Sequence, residues 1–541
     1  MVLLALAVFM AYANSLDGKF VFDDSRIYNN TNLRITSLDW ASLRQVVVKS
    51  QPASRPVANL SFAFNYYLHG YSVKGYHLVN ITIHLFTGWL LYLLLVATMQ
   101  AQARHGHEQL AGPESLRYEW LAFFAALLWL VHPLQTQSVS YTVQRMNSMA
   151  AMFYLASLWC YVRGRMNDER VRKILLLAAS VVFGLLALGS KETSATLPIF
   201  VFLYEWYFLQ DLDMGWLKRR LPVLGLVVVV FVGVAILFLG PHPLDIIFGS
   251  CWSRSFTLPQ RLMTEMRVIF LYLGLLVFPH PSRLTLDHNL FVSTSFLHPV
   301  TTLFAAVGLV AMICLVVWSA RRHRLLSFAI LWFLGNLLIE SSVIGLEIVF
   351  EHRLYLPSMM LFFVAVVGAY RLLAPRFLKV GVVAAVALAL LLGFWTFERN
   401  KAWHDPISLW GDCVAKAPRK ARPRNNLGVA LKKAGYLREA AEQYQAAIAL
   451  DPKFIEAYVN LGNIYQAEGR LDDALAQYYK AMDLNGGYAV IHMYIGQIML
   501  DKGKYSRATM HFSEALRLEP DNAEARSSLQ YAQWMWRKSK R

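Results

Sequence analysis

From Met1 to about Phe397 the chain is a succession of apolar runs separated by short polar connections. A run of about 20 apolar residues matches the thickness of a bilayer's hydrocarbon core. Within lipid the backbone must satisfy its own polar groups, so such runs fold as helices. The spacing predicts spans over 76–99, 119–131, 146–162, 174–189, 194–210, 221–240, 299–318, 325–340, 354–373 and 378–397. Val2 to Ala13 is shorter; with no basic residues before it and no cleavage-site pattern, it reads as a first span and not as a signal peptide. From Pro418 onward the apolar runs give way to an ordinary soluble helical composition. The expected organisation is a membrane domain over 1–397, a linker with a degenerate half repeat over 398–420, and a soluble helical domain over 421–541.

Charge supports the same division. Only 16% of the 541 residues are charged, against about 25% in an average soluble domain. The net charge of +17 lies largely in connections such as Arg163, Arg165, Arg170, Arg172 and Lys173, the distribution of cytoplasmic loops, so nucleic acid is not an expected partner. The four cysteines are widely spaced, with neither a metal-type pair nor a disulfide framework.

The basic connections 163–173, 218–220, 321–324 and 371–379 are assigned to the cytoplasm. Loops 14–75, 132–145, 189–193 and 341–353, and everything after about Phe397, then fall outside. Arg220 and Arg321 belong on the same side, yet three apolar runs separate them, an odd number. The middle run carries Glu265 and Arg267, which are costly in lipid. Segment 258–279 is therefore expected to be re-entrant or interfacial, leaving about eleven crossings.

A 34-residue period begins at Ala421 and aligns Gly428, Gly462 and Gly496, then Ala440, Ala474 and Ala508, then Tyr444, Tyr478 and Phe512. This is the signature of three tandem tetratricopeptide (TPR) repeats over 421–454, 455–488 and 489–522, followed by a capping helix. Small residues let the paired helices approach, and each pair buries its open face on the next. The fold class is thus all-α: a polytopic helical membrane domain followed by an α-solenoid. A concave TPR groove is a surface for a protein or peptide partner, although an assembly surface fits the repeats as well.

Chemistry concentrates on the predicted external face. The first loop carries the adjacent carboxylates Asp23 and Asp24, which a solvated turn or helix cap would also explain. Arg55, His77, His132, Arg145, Lys191, Glu192, Glu351, His352, Arg353 and Tyr355 fall on the same face or at its boundary. Acid, arginine, lysine and histidine converging on one membrane face fit an anionic, lipid-anchored substrate, with arginine suited to phosphate. An alcohol attacking a sugar carbon must lose a proton, which a carboxylate can accept. A phosphate leaving group needs charge stabilisation and not protonation. No metal site is visible; His105 and His107 lie in a predicted cytoplasmic loop.

Several runs, in order, carry a family resemblance: Phe20-Val21-Phe22-Asp23-Asp24, Arg55-Pro56, Tyr76-His77-Leu78-Val79-Asn80, His132-Pro133, Arg145, Lys191-Glu192 and Glu351-His352-Arg353-Leu354-Tyr355. With the TPR tail, this order resembles the transmembrane O-mannosyltransferases with TPRs and their prokaryotic relatives. The resemblance implies a GT-C glycosyltransferase using a polyprenyl-phosphate sugar, mannose-like, to glycosylate Ser or Thr outside the cytosol. It places the catalytic base on Asp23 or Asp24, with Asp23 preferred. The expected location is a bacterial inner membrane, or the endoplasmic reticulum in a eukaryote. Two rivals remain: a glycosyltransferase acting on lipid or polysaccharide, and a non-catalytic scaffold working through its TPRs.

Overall fold

The computed structural model describes residues 1–104, 114–239 and 256–541. His105, His107 and Cys251 lie outside them. The described chain forms two compact units, Met1–Asp405 and Pro406–Arg541, and all its regular elements are helices.

The first unit opens with α1 (Val2–Tyr12), α2 (Trp40–Lys49) and α3 (Pro56–His69). The long α4 (Val73–Arg104), α5 (Glu114–Leu130), α6 (Arg145–Arg165) and α7 (Arg170–Ser190) follow. Next come α8 (Leu197–Tyr204), continued by one π turn over Glu205–Leu209, and α9 (Met214–Leu239). The last helices of the unit are α10 (Leu258–Val277), α11 (Thr301–Ser319), α12 (Arg324–Leu337) and α13 (Met359–Asn400).

Val73–Arg104, Arg170–Ser190, Thr301–Ser319 and Arg376–Trp403 are long and apolar enough to cross a membrane. Val2–Ser15, Arg324–Leu337 and Met359–Leu373 are shorter apolar helices. Outward on α7 stand Val171, Ile174, Leu175, Val181, Val182 and Leu185, and on α11 Phe304, Val307, Val310 and Val317. Water would not tolerate so continuous an apolar exterior, and hydrocarbon favours it. The protein is a membrane protein.

The two last predicted spans, 354–373 and 378–397, are halves of α13 divided at Phe377, whose φ of −133° is not helical. Phe362 and Val366 pack in one cluster with Ala389 and Leu392. On a straight helix at 1.5 Å per residue, Phe362 and Ala389 would stand about 40 Å apart. The kink is therefore a reversal, and the halves lie side by side.

Within segment 258–279, Leu258–Val277 form one unbroken helix, α10. Near its start, Arg261 donates to the carbonyls of Glu340 (2.8 Å), Ser342 (2.9 Å) and Leu346 (2.5 Å). Near its end, the Leu276 carbonyl lies 3.2 Å from His132 Nε2, and Tyr272 Oη donates to the Phe350 carbonyl. Both ends of α10 thus touch the connections 132–137 and 340–350.

The unit boundary falls at Asp405, later than the expected 397. Residues 397–404 bond back to the first loop: Asn14 Nδ2 donates to the Phe397 carbonyl at 2.8 Å, and Lys19 N to the His404 carbonyl at 2.8 Å.

The second unit contains α14 (Pro406–Lys416), α15 (Ala421–Lys433), α16 (Leu437–Leu450), α17 (Ile455–Ala467), α18 (Leu471–Leu484), α19 (Ala489–Asp501), α20 (Tyr505–Leu518) and α21 (Ala523–Ser539). The pairs α15/α16, α17/α18 and α19/α20 are the three repeats. A Cβ on Gly462 would come within 2.5 Å of the Tyr478 ring, so glycine is what permits that close helix approach. Gly469, with φ of +75°, makes the turn between α17 and α18, a conformation glycine adopts without penalty.

Candidate active site at the loop face of the helix bundle

The first loop is pinned by one of its two adjacent acids. Asp24 is fully buried. Its Oδ2 accepts from Val21 N at 2.9 Å, and its Oδ1 accepts from Val143 N at 2.6 Å. Burial nonetheless pushes its carboxyl up to about 7, ahead of the opposing effect of these amides.

Asp23 is placed differently. Its side chain is 37% exposed and lies 3.4 Å from Arg26 Nη2. Its amide donates to Tyr141 Oη at 3.1 Å. Burial raises its carboxyl above the ordinary aspartate value, against the pull of Arg26 and of a hydrogen bond from Tyr141. Phe22, just before it, has φ of +47°, a left-handed conformation unfavourable for a bulky residue. Such strain persists only where surroundings enforce it and gathers at functional sites. Here the Asp24 clamp and the Tyr141 hydroxyl enforce it.

Segment 132–147 ties this loop to a second cluster. Gln137 Oε1 accepts from His352 N at 2.6 Å. Asn147 Nδ2 donates to the His352 carbonyl at 2.8 Å, and Asn147 Oδ1 accepts from Lys191 Nζ at 3.1 Å. Lys191 also pairs with Glu340 at 2.7 Å, both being nearly buried. Burial would raise Glu340, but Lys191 and then Arg353 hold it down at about 2. His352 is buried and kept well below its ordinary pKa, by desolvation first and Lys191 second. Beside them Arg55 Nη2 pairs with Glu192 Oε2 at 2.9 Å, and the Ser54 hydroxyl donates to the same carboxylate. Burial pushes Glu192 up, but Arg55 and Ser54 more than offset it and leave the group below its usual range.

Five connections distant in sequence therefore converge: 14–55, 132–147, 190–193, 285–288 and 340–355. The fourth joins because Glu351 Oε1 accepts from Thr285 N at 2.6 Å and lies 2.9 Å from His288 Nε2. At the other end of the bundle, Arg165 pairs with Glu205 at 2.6 Å and Arg324 with Asp211 at 2.7 Å.

Several residues expected at a donor phosphate are committed to the scaffold. Arg145 is wholly buried. Its guanidinium donates to Asn80 Oδ1 (2.7 Å), Asn65 Oδ1 (2.6 Å), the Tyr76 carbonyl (3.0 Å) and the Ser61 carbonyl (3.2 Å), and lies over the Phe62 ring. Those bonds use four of its five donors, so it braces α3 and α4 against α6. Arg353 is buried too, donating to the Ile348 and Glu347 carbonyls beside Glu265. Tyr355 Oη sits 2.8 Å from His84 Nδ1 in an aromatic cluster with Trp129. His132 caps its own turn through Leu134 N. His77 lies buried against Gly18. Arg55, by contrast, keeps 23% of its side chain exposed.

Sequence reading assigned no role to Tyr141, Gln137, Asn147, Glu340 or Trp403. Asn147 and Glu340 left a trace, the first in the polar run with Arg145 and the second as a carboxylate closing an apolar run. Among the described residues, no group of three or more His, Cys, Asp or Glu is arranged to hold a metal ion. An apolar cleft of about 460 Å³ runs along α5 and both halves of α13, from His132 and Pro279 at the loop end to Tyr370 and Leu378.

The family described as TPR repeat matches residues 428–469, and that described as tetratricopeptide repeat matches 455–488. The chain is 26% identical to the protein O-mannosyl-transferase Tmtc3 of Drosophila melanogaster, over 84% of this chain and 55% of that protein. It is also 26% identical to protein O-mannosyl-transferase F38B6.6 of Caenorhabditis elegans, over 84% and 63%. The human protein O-mannosyl-transferase TMTC1 gives 26%, 84% and 55%. The chain thus spans between about half and just under two thirds of these relatives' length. A solved structure, the APC/C hetero-tetramer Cut9-Hcn1, aligns over 90% of this chain and 91% of its own at 16% identity, with a TM-score of only 0.24. Over most of its length the chain is therefore similar to the protein O-mannosyl-transferases of animals, as its ordered motifs imply, and it ends in tetratricopeptide repeats.

Proposed function

We propose that the protein is a glycosyltransferase that moves a hexose, mannose favoured, from a polyprenyl-phosphate donor to a protein Ser or Thr hydroxyl. The reaction takes place on the extracytoplasmic side, and the TPR unit recruits the acceptor. One observation carries this reading: Asp23 is an accessible carboxylate on a strained loop clamped to segment 132–147 through Asp24 and Tyr141. The similarity to protein O-mannosyl-transferases supports the same chemistry.

In this reading Asp23 takes the acceptor's proton as its oxygen attacks the anomeric carbon. Its raised pKa brings it nearer to neutral and makes it a stronger base than a free aspartate. The lipid phosphate leaves without protonation, its charge stabilised by Arg55, which keeps part of its side chain exposed. The apolar cleft offers the isoprenoid chain a path beside α13. Basic connections at the opposite end of the bundle favour the cytoplasm for that side.

The test is transfer by the purified protein from a polyprenyl-phosphate mannose to Ser/Thr peptides, read as a mass gain on the peptide. Asp23→Asn should lower kcat at least about 100-fold, the lower range for loss of a general base, with donor binding kept. Activity should also fall as pH drops through the raised Asp23 pKa, because only the ionised carboxylate accepts a proton. Near-normal turnover by a well-folded Asp23→Asn protein rejects the assignment. Glycan found only in the lipid fraction would move the acceptor to a lipid or polysaccharide.

A further inference from the structure

We propose that Tyr141, braced on Trp403, is the positioning residue that aims the Asp23 carboxylate at the acceptor. The inference rests on Asp23 being the base and assigns what orients it.

Tyr141 and Trp403 are each only 1% exposed. Their rings stack at 5.2 Å with an interplanar angle of 23°, and Phe22 lies against Tyr141 at 6.3 Å. The backbone on both sides of this stack is tied down. Ser140 Oγ donates to Asn400 Oδ1 at 2.6 Å, Asn400 Nδ2 donates to the Ala11 carbonyl at 2.9 Å, and Lys19 N donates to the His404 carbonyl at 2.8 Å. The phenol therefore has one orientation available.

In that orientation Tyr141 Oη accepts from the Asp23 amide at 3.1 Å, which fixes the backbone that carries the acid, and the phenol stands near enough to the carboxylate to hold its pKa down. Burial keeps the phenol protonated far above neutral pH, so it is always a donor. The competing partner is Arg26, whose side chain is 59% exposed. An exposed arginine at the end of a flexible stem holds the carboxylate loosely; a buried, stacked phenol bonded to the Asp23 amide fixes the residue that carries it. Without the hydroxyl, Asp23 is free to follow Arg26 into solvent.

The experiment compares Tyr141→Phe, Trp403→Ala and Trp403→Phe with Asp23→Asn in the full-length protein, using lipid-linked mannose and a Ser/Thr peptide. Tyr141→Phe should lower kcat about 10- to 100-fold, as a misplaced catalytic group does, and leave the donor KM within about 2-fold. The acidic limb of the kcat–pH profile should move to higher pH, because the lost hydrogen bond had stabilised the ionised carboxylate. A purely structural role would move neither the limb nor kcat apart from KM. Trp403→Ala should reproduce both effects, and Trp403→Phe, which retains a ring, should show smaller ones. Should Tyr141→Phe fail to accumulate, the Trp403 pair carries the same test. The double variant Asp23→Asn/Tyr141→Phe should be no slower than Asp23→Asn alone. If Asp23→Asn is inactive while Tyr141→Phe and Trp403→Ala keep the wild-type kcat and pH profile, the positioning role is wrong and the base stands. If Asp23→Asn turns over normally, the base assignment falls and the positioning role falls with it.

Discussion

Asp24 and Val143, separated by more than a hundred residues, are joined by a 2.6 Å bond from the Val143 amide to the buried carboxylate. The neighbouring acid points to where solvent reaches it. Asp24 is thus a clamp and Asp23 the group it presents. Asp24→Asn should destabilise the protein by about 1–3 kcal/mol, because one amide N–H would then face another donor. The measurement is the thermal unfolding midpoint in detergent at pH 5.5, where Asp23→Asn should leave the midpoint in place. Equal midpoints for wild type and Asp24→Asn would show that the clamp contributes nothing. Since the folded-state pKa of about 7 lies above the unfolded value of about 3.9, the stability linked to this group is complete below about pH 4. It is lost as pH rises through about 7, and Asp24→Asn should abolish that dependence.

Arg145→Lys should behave as a severe change. A single ammonium cannot reproduce bonds to Asn80, Asn65 and two carbonyls together with contact to the Phe62 ring. The expected loss is about 2–4 kcal/mol, at the scale of a broken buried network. It should be read as reduced yield and a lower midpoint, with donor KM unchanged in the protein that does fold. A raised donor KM at normal stability would return Arg145 to the binding site.

The Lys191–Glu340 pair offers a test by charge removal. Glu340→Gln leaves a buried ammonium without its counter-ion and should cost about 3–5 kcal/mol at pH 7. Replacing both residues by methionine should recover much of that loss. Glu340, held at about 2, is depressed below the unfolded value of about 4.3. Its contribution is present above about pH 4.3 and disappears as pH falls toward 2. A double variant no more stable than Glu340→Gln would contradict this.

Helix α10 should have both ends accessible from the outside, since both touch the same group of connections. Cysteines introduced at Leu258 and Ser282, in a background without the native thiols, should both react with an impermeant reagent added outside. A reporter fused after Arg541 should be active only when exported. Labelling of one cysteine solely from the cytoplasm would make α10 a crossing.

Much of the fold is legible in the sequence, because hydropathy and the 34-residue period are local signals. The predicted spans fall on described helices, and the glycines at the close helix contacts stand where the period places them. What escapes is decided by tertiary surroundings. Asp23 and Asp24 are chemically identical in a sequence, and only the amides of Val21 and Val143 separate their roles. Arg145 has the look of a phosphate ligand until Asn65, Tyr76 and Asn80 arrive from other helices to occupy it. The reversal at Phe377, by contrast, is legible: Pro375 and the basic connection 371–379 divide two predicted spans there. Tyr141 is one of 26 tyrosines, and nothing local marks it.

The bonds of Asn14 to Phe397 and of Asn400 to Ala11 join the two extremities of the membrane unit. A nascent chain inserts from its N-terminus, so α1 and the acidic loop reach the bilayer long before the segment that holds them. Until residues 397–404 leave the ribosome, Tyr141 has no Trp403 to rest on and the first loop has no anchor for Lys19. The proposed transferase activity should therefore appear only once residues 397–404 have joined the fold, and chains released before about residue 400 should insert in the membrane without showing it.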